Sequence, residues 1–244
     1  MYQHILIFTC TILFSHYGLK YILDEKTKAP PQIKYYLLHF LTNMYIVSII
    51  YKNVITVLLN PLSYIKIFPY SSTIITIFHM YHILFYKNIS IDEKIHHFVN
   101  VFILYPFFFL IDHTMILELG TFFLMGLPGG LTYLLLFLKH FNIVDKITEK
   151  RISKHLNLWI RAPGIILTIV IMYINMYYNY KNLTTIYIFA HIIIMISIYW
   201  NAMYFTNTIV TSYVKLNYKY ELIKKIKQSS LDTDIQNEVL EFIK

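Results

Sequence analysis

The sequence predicts an all-α, polytopic membrane protein with about seven transmembrane helices, and three observations support this class. Of its 244 residues, 57% are apolar and only 14% are charged, whereas soluble domains carry about 25% charged residues. Aromatic side chains make up 18% of the chain, as expected of residues that lie at membrane interfaces. The apolar residues are gathered in runs long enough to cross the hydrocarbon, which takes about 20 residues.

Seven runs meet that length, and polar or basic segments separate them. They lie at residues 3–19, 36–58, 67–86, 95–111, 114–138, 162–180 and 185–213. The first run has no basic segment before it and no small-residue cleavage site after it, so we expect a retained helix rather than a signal peptide. Pro163 falls at the predicted start of the sixth helix, where proline is tolerated.

The basic residues predict the orientation of the chain. If alternate loops face the cytosol, only Lys52, Lys66 and Lys181, of 21 Lys and Arg residues, fall on the other side. Because cytosolic loops carry the basic excess, we expect a lumenal N-terminus and a cytosolic C-terminus, in the endoplasmic reticulum or another endomembrane. The net charge of +8 then predicts contact with anionic lipid headgroups, and no nucleic-acid partner.

Three parts of the chain are expected. Residues 1–34 form the first transmembrane helix and a cytosolic loop, residues 35–214 form a six-helix membrane domain, and residues 215–244 form a cytosolic tail. Ile235, Val239, Leu240 and Ile243 recur at helical spacing, so the tail is predicted to contain a short amphipathic helix. The only cysteine is Cys10, which excludes an internal disulfide.

Histidines flank the polar turn between the third and fourth runs. His79 and His82 end one run, and His96 and His97 begin the next. Imidazoles are costly in hydrocarbon and are retained mainly where they pair or act, so this hairpin is the candidate functional site. Asp92 lies one helical turn before His96 and could orient it. Adjacent helical residues point about 100° apart, so His96 and His97 are not expected to face one point on the bundle axis. The four imidazoles are expected to converge at the cytosolic mouth of the bundle.

Two other interpretations of these histidines stay open. Any one of them could be a structural residue that is hydrogen-bonded to a neighbouring helix. An H-x-x-H pair beside a second pair could also offer three or four nitrogen ligands to zinc. The histidine boxes of membrane di-iron hydroxylases and desaturases are absent, so we do not expect a metal.

Two further motifs break the apolar runs. Gly126, Pro128, Gly129 and Gly130 lie in the middle of the fifth run, where they predict either a packing kink or a backbone that lines a cavity. The segment 157–164 leads into the sixth run. There, Trp159 suits the interface, and Arg161 could anchor to headgroups or bind the phosphate of an anionic lipid or coenzyme.

The remaining polar residues in the runs are expected to be structural or solvated. Asp112, His113 and Glu118 cluster at a predicted lumenal turn in contact with solvent. His191, Asn201 and Asn207 in the last helix are expected to bridge helices.

A multi-span chain with Asp92-x-x-x-His96-His97 at the start of a central helix resembles the TLC superfamily, whose best-known members are the ceramide synthases. The resemblance covers about residues 35 to 214. The further signatures, at Gly126-Leu-Pro-Gly129, Tyr133, Lys139 and 157–164, are similar to those of small, uncharacterised members. It implies a six-helix barrel around a lipid-sized cavity, here expected to open toward the cytosolic leaflet, with the first helix outside.

The resemblance also implies a chemistry. In ceramide synthases the His-His pair serves acyl transfer from acyl-coenzyme A to a sphingoid amine, a role that carries over to His96 and His97. The His-Asp-x-x-Asp element of the synthases is missing, since that region reads Leu-Met-Gly-Leu-Pro-Gly-Gly over residues 124–130. We expect a lipid-handling protein whose candidate catalytic residues are His96, His97 and Asp92. Acyl-coenzyme A is its candidate substrate.

The residues expected to contact the lipid are His79, His82, Tyr133, Asn157, Trp159 and Arg161. A non-catalytic lipid-binding or membrane-homeostasis protein is the main alternative function, and a metal-dependent lipid enzyme or a transporter is a weaker one.

Overall fold

The computed structural model describes residues 31–85, 91–111, 113–179 and 183–229, together with positions 5, 6, 9, 10, 12, 13, 16, 17 and 21. The helices are α1 (Pro31–Leu59), α2 (Tyr70–Phe85), α3 (Ile91–Phe98), α4 (Tyr105–Leu110), α5 (Met115–Thr121), α6 (Leu127–His140), α7 (Lys146–Leu156), α8 (Ala162–Asn179) and α9 (Thr185–Gln228). Three π-helical segments, π1 (Val99–Leu104), π2 (Phe122–Gly126) and π3 (Asn157–Arg161), join α3 to α4, α5 to α6 and α7 to α8. Within these ranges the backbone forms no β-strand beyond an isolated bridge between Lys66 and Thr114.

The expected class, a helical membrane protein, is confirmed. Four described helices are long and apolar enough to cross a membrane: Gln32–Leu59, Met115–His140, Lys146–Asn179 and Thr185–Gln228. The seven-span count stays a prediction. In the run predicted at 67–86, α2 has only 16 residues, and the run predicted at 95–111 belongs to a helix that begins with the charged segment 91–94. Most of the run at 3–19 and the whole predicted tail helix lie outside the described residues.

A proline lies just after each π-helical segment. Pro106, Pro128 and Pro163 are each the second residue after π1, π2 and π3. A proline inside a helix lacks an N–H and its ring clashes with the carbonyl four residues earlier. The π turn widens the helix there: Leu127, for example, donates its N–H to the Phe122 carbonyl, five residues back. The bundle therefore accommodates its prolines without ending its long helices.

The segment predicted as a cytosolic loop, 139–161, is largely helical. Helix α7 begins after Asp145, whose carboxylate accepts the N–H groups of Ile147 at 3.0 Å and Thr148 at 2.9 Å. These bonds satisfy donors that a helix start leaves unpaired, and they hold the pKa of Asp145 below its ordinary 3.8. Helix α7 then continues through π3 into α8, so Pro163 lies inside a long helix and not, as expected, at its start.

The core lies where α1 packs along α5, π2 and α6. One apolar cluster joins these elements to α8 and α9, and its most buried members are Ile46, Val57, Leu119, Ala190 and Ile194. The candidate site lies outside this core, at the end of the bundle where α2 ends and α3 begins.

Helix α9 is the longest element. Its 44 residues extend about 66 Å at 1.5 Å per residue, roughly twice the hydrocarbon thickness. It continues without a break past residue 214, so the predicted cytosolic tail, 215–244, begins inside this helix. Beyond the apolar part, Lys154 of α7 places its ammonium 4.2 Å from the centroid of the Tyr213 ring.

Candidate functional site

Five histidines from α1, α2 and α3 lie together in the bundle. Four of them, His79, His82, His96 and His97, are the residues predicted from the sequence. The fifth, His39 of α1, was not predicted. Four of the five are nearly inaccessible to solvent: His39, His79, His82 and His97 are 5%, 2%, 0% and 2% exposed. We call these five residues the histidine cluster.

The histidines of α1 and α2 share one orientation. The Nδ1 atom of each donates to the carbonyl four residues earlier: His39 to Tyr35 at 2.9 Å, His79 to Ile75 at 2.7 Å and His82 to Phe78 at 2.7 Å. A carbonyl can only accept, so the proton of each neutral ring lies on Nδ1. The Nε2 atom of each ring therefore presents a lone pair.

His96 connects three helices. Its Nε2 lies 3.3 Å from Nε2 of His79, and its Nδ1 lies 2.8 Å from Nδ2 of Asn201 on α9 and 3.3 Å from Nδ2 of Asn100 on π1. Because an amide nitrogen donates, Nδ1 accepts in this arrangement and Nε2 carries the proton toward His79. Asn201 thus bridges helices, as its sequence position suggested.

His97 lies between the two α2 histidines. Its ring is nearly parallel to that of His82, with an interplanar angle of 13° and 5.2 Å between centroids, and its centroid is 4.9 Å from that of His79. Neither ring nitrogen of His97 has a hydrogen-bond partner within the described part of the chain.

His96 and His97 leave α3 in different directions, and their ring nitrogens nevertheless approach each other. A nitrogen of each lies within 4.8 Å of the other and of a nitrogen of His79. The two α3 side chains diverge along their own helix, but His79 projects from α2 into the angle between them. Spacing along one helix could not show the contribution of a neighbouring helix.

An aromatic layer extends the cluster toward α6. His39 stacks on Tyr133 with 4.0 Å between centroids and lies 4.4 Å from the ring of His82, while Tyr35 meets His82 edge-on at 4.8 Å. Tyr133 is one of the residues predicted to contact the lipid. His39 has no histidine at helical spacing in its own run, and its apolar sequence context was the only available signal.

Asp92 lies at the edge of the cluster. Its carboxylate interacts with the Tyr204 side chain of α9, while both ring nitrogens of His96 are paired with His79, Asn201 and Asn100. Its role in orienting His96 stays a prediction.

An apolar cavity adjoins the cluster on the side of α5 and π2. It measures about 590 Å³, including its open part, and its lining includes Ile75, Leu124, Met172 and Ile198. Asn100 belongs to this lining, and the same amide contacts His96. Asn100 therefore links the cavity lining to the histidine cluster.

A polar group built around Arg161 lies where π3 passes α1 and α6. Nη1 of Arg161 donates to Oδ1 of Asn157 at 2.6 Å, while its Nε has no hydrogen-bond partner among the described residues. A Cβ atom built on Gly129 would lie 3.2 Å from Nδ2 of Asn43 and 3.6 Å from Nη2 of Arg161. The glycine therefore leaves room for both polar side chains beside the backbone.

The other predicted site residues lie outside the cluster. Trp159 is 74% exposed on the outer surface of the bundle. Gly126 and Gly130 face Val47 and Met44 of α1, and Pro128 is buried in the first turn of α6. This motif packs α6 against α1, and its Gly129 approaches Arg161.

At the opposite end, the turn between α4 and α5 is buried and not solvated as expected. Glu118 is 3% exposed and accepts a hydrogen bond from Nδ2 of Asn53 at 2.5 Å. His113 is 5% exposed, because segment 60–69 folds over it and Ile67 donates its N–H to the His113 carbonyl at 2.8 Å. Burial lowers the pKa of His113 to about 4. Asp112 lies outside the described residues.

Comparison of the chain with family models, with curated proteins and with solved structures found no match. The resemblance to the TLC superfamily therefore stays a prediction, and the function is argued from the site alone.

Proposed function

We propose that this membrane protein holds the acyl chain of a lipid in the apolar cavity and presents the polar end of that lipid to the histidine cluster. The observation that carries this proposal is the double role of Asn100, which lines the cavity and lies 3.3 Å from Nδ1 of His96. An amphipathic ligand suits such a site, because the apolar wall and the imidazoles match its two ends.

The lining of the cavity supports a lipid. Ligand cavities generally combine apolar walls with few polar groups, and the walls here include the apolar side chains of Ile75, Leu124 and Met172. Its polar lining includes Ser72, Thr76 and Thr168. Two of these hydroxyls, those of Thr76 and Thr168, donate to carbonyls of their own helices, which leaves largely hydrocarbon for a ligand to contact.

Acyl transfer is the reaction that we propose for the cluster. A neutral imidazole with a free nitrogen can accept a proton from an amine or hydroxyl as that group attacks the carbonyl of a thioester such as acyl-coenzyme A. The C–S bond then breaks, and the imidazolium can return the proton to the coenzyme A thiolate that leaves. His97 is suited to this role, since its two nitrogens have no hydrogen-bond partner in the described structure, and His96 supports it from the adjacent position. Arg161, whose Nε is unpaired there, is suited to bind an anionic oxygen of the substrate.

A non-catalytic lipid-binding protein is the second candidate function. The pairing of both His96 nitrogens with His79, Asn100 and Asn201 favours it, because these bonds tie α2, α3, π1 and α9 together without requiring a reaction. Membership of the TLC superfamily, an opening toward the cytosolic leaflet and a location in the endoplasmic reticulum belong to the proposal in either case.

The test is mass spectrometry of the lipids that copurify with the full-length protein in detergent. Leu124→Trp fills the cavity from its wall, whereas Leu167→Trp makes the same change at a side chain that is 41% exposed on the outer surface. We expect the wild type and Leu167→Trp to retain the same lipid and Leu124→Trp to lose it. Equal lipid in Leu124→Trp and the wild type would overturn the proposal.

A double variant, His96→Ala with His97→Ala, separates the two candidate functions. If the cluster transfers an acyl group, the variant retains unreacted substrate in place of the product found with the wild type. If the protein only binds lipid, the same intact lipid copurifies with both.

A further inference from the structure

Three imidazoles of the histidine cluster converge on one point. The ligand atoms of His79, His96 and His97 all lie within 4.8 Å of one another. These residues come from two different helices, and the bundle holds His79 and His97 at 2% exposure. Such convergence of buried nitrogen atoms is a feature of metal sites.

The distances fit a tetrahedral ion. Zinc binds imidazole nitrogen at about 2.0 to 2.1 Å, which places two nitrogens of a tetrahedral site about 3.3 Å apart. The Nε2 atoms of His79 and His96 are 3.3 Å apart. The widest separation among the three, at most 4.8 Å, would have to close by about 1.5 Å, which rotation of the His97 ring about its side-chain bonds can supply.

The protonation of His79 also fits its role as a metal ligand. A ligating histidine generally donates its other ring N–H to a carbonyl or carboxylate, which fixes the ring and its tautomer. His79 does so through Nδ1, at 2.7 Å from the Ile75 carbonyl. Its Nε2 lone pair already faces the other two rings.

His97 gives an independent indication. It is 2% exposed, yet neither of its ring nitrogens has a hydrogen-bond partner among the described residues. Buried polar atoms are nearly always satisfied, and one left unpaired costs about 1 to 3 kcal/mol. A bound ion would satisfy it.

We propose that His79, His96 and His97 bind a divalent transition-metal ion, with zinc as the best-fitting ion, and leave a fourth coordination position open for water or a substrate oxygen. Imidazole suits zinc, copper, iron and nickel, and three protein ligands with an open position are typical of catalytic zinc. The site stands on the side-chain geometry and does not depend on the proposed lipid chemistry. If that chemistry holds, the ion rather than His97 would activate the attacking group.

Binding requires His96 to exchange its tautomer. For Nε2 to offer a lone pair, Nδ1 must carry the proton and donate it. Asn201, whose Nδ2 now lies 2.8 Å from that Nδ1, can accept this hydrogen bond through Oδ1 after a half-turn of its amide, which exchanges oxygen for nitrogen. Asn201 is therefore a positioning residue for the site.

The test is metal binding by the full-length protein in detergent. Metal analysis after purification and titration with Co²⁺, whose visible absorption is intense in tetrahedral sites, give the stoichiometry and the affinity. His79→Gln and His97→Gln each remove one ligand, and His191→Gln is the matched control, because His191 is also buried, at 7% exposure, in the apolar part of α9.

We expect one ion per chain in the wild type and the control, and affinity lower by at least about tenfold in each ligand variant. No binding by the wild type, or equal binding by the ligand variants, would overturn the proposal. Lipid content is measured on the same samples, so loss of the metal site and loss of lipid binding are seen separately.

Asn201→Asp gives a second readout that a purely structural role would not produce. A carboxylate can only accept, so it fixes the proton on Nδ1 of His96 and leaves Nε2 for the ion. We expect this variant to bind Co²⁺ more tightly than the wild type, and weaker or unchanged binding would contradict the tautomer exchange.

Discussion

The ring of Phe123 lies directly against Gly164. A Cβ atom on this glycine would fall 2.2 Å from two ring carbons and 2.8 Å from Cβ of Phe123. Helices π2 and α8 therefore approach so closely that only glycine fits at this position. We expect Gly164→Ala to destabilise the protein by about 1 to 3 kcal/mol through overpacking, measured by denaturant unfolding in detergent.

Two variants control that prediction. Gly120→Ala adds the same atom where the nearest neighbour, a methyl of Thr168, is 3.3 Å away, so its effect should be much smaller. Phe123→Leu, added to Gly164→Ala, should recover part of the loss. Equal losses at Gly120 and Gly164, or no recovery, would contradict the packing argument.

The buried turn at His113 predicts a dependence of stability on pH. Burial lowers the pKa of His113 from 6.5 in the unfolded chain to about 4 in the folded protein. The unfolded chain therefore binds the proton first as the pH falls, and the free energy of unfolding declines between pH 6.5 and pH 4, by at most about 1.4 kcal/mol per pH unit for this group. Above pH 6.5 its contribution is constant.

His113→Gln isolates this contribution from those of the other histidines. Unfolding midpoints of the wild type and the variant, measured at pH 7, 6 and 5, should converge as the pH falls, because only the wild type loses this term. Parallel profiles would show that His113 is not responsible.

The contact between Asn53 and Glu118 predicts an asymmetry between two variants. Asn53→Leu removes the donor that lies 2.5 Å from Oε2. Among the described residues, the buried carboxylate then keeps only Ser71, whose hydroxyl is 3.4 Å from Oε1. We expect a loss of about 1 to 3 kcal/mol in unfolding free energy. Glu118→Gln keeps a polar group at the same place, and it should cost less. If Glu118→Gln is the more damaging change, the Asn53 contact does not carry this stability.

Single cysteines can decide whether α2 and the helix from α3 to α4 cross the membrane. In a Cys10→Ser background, Ile91→Cys reports the start of α3, and Leu62→Cys and Asn142→Cys report the segments after α1 and α6. Ile91 is 68% exposed and Leu62 is 55% exposed. If α2 and the helix from α3 to α4 both cross the membrane, Ile91→Cys and Asn142→Cys react with an impermeant maleimide from the cytosolic side, and Leu62→Cys reacts only after permeabilisation.

If α2 does not cross, Ile91→Cys behaves like Leu62→Cys. That result would refute the seven-span count and leave the four long helices as the spans among the described residues.

The sequence indicated the class and much of the site because those signals are local. Long apolar runs show spans, and His79, His82, His96 and His97 flank one short turn, so they had to lie near one another. His39 and Asn201 could not be found in this way. They lie 57 and 105 residues from His96 in the chain, and only tertiary packing of α1 and α9 brings them into the cluster.

The prolines show a second feature that the local sequence could not predict. Pro163 suggested the start of a helix, whereas the structure continues the helix through a π turn before it. Both solutions satisfy the missing N–H, and the local sequence does not distinguish between them. The burial of Glu118 and His113 was missed for a similar reason, since it depends on how segment 60–69 folds over the turn.

Helix α9 has the properties of a lever. It contains neither glycine nor proline between Thr185 and Gln228, and the cation–π contact between Lys154 and Tyr213 lies between its two arms. The inner arm reaches Asn201 after about 18 Å and the outer arm reaches Gln228 after about 22 Å. A sideways displacement of the outer end would therefore be transmitted along one unbroken helix to Asn201, whose Nδ2 lies 2.8 Å from Nδ1 of His96.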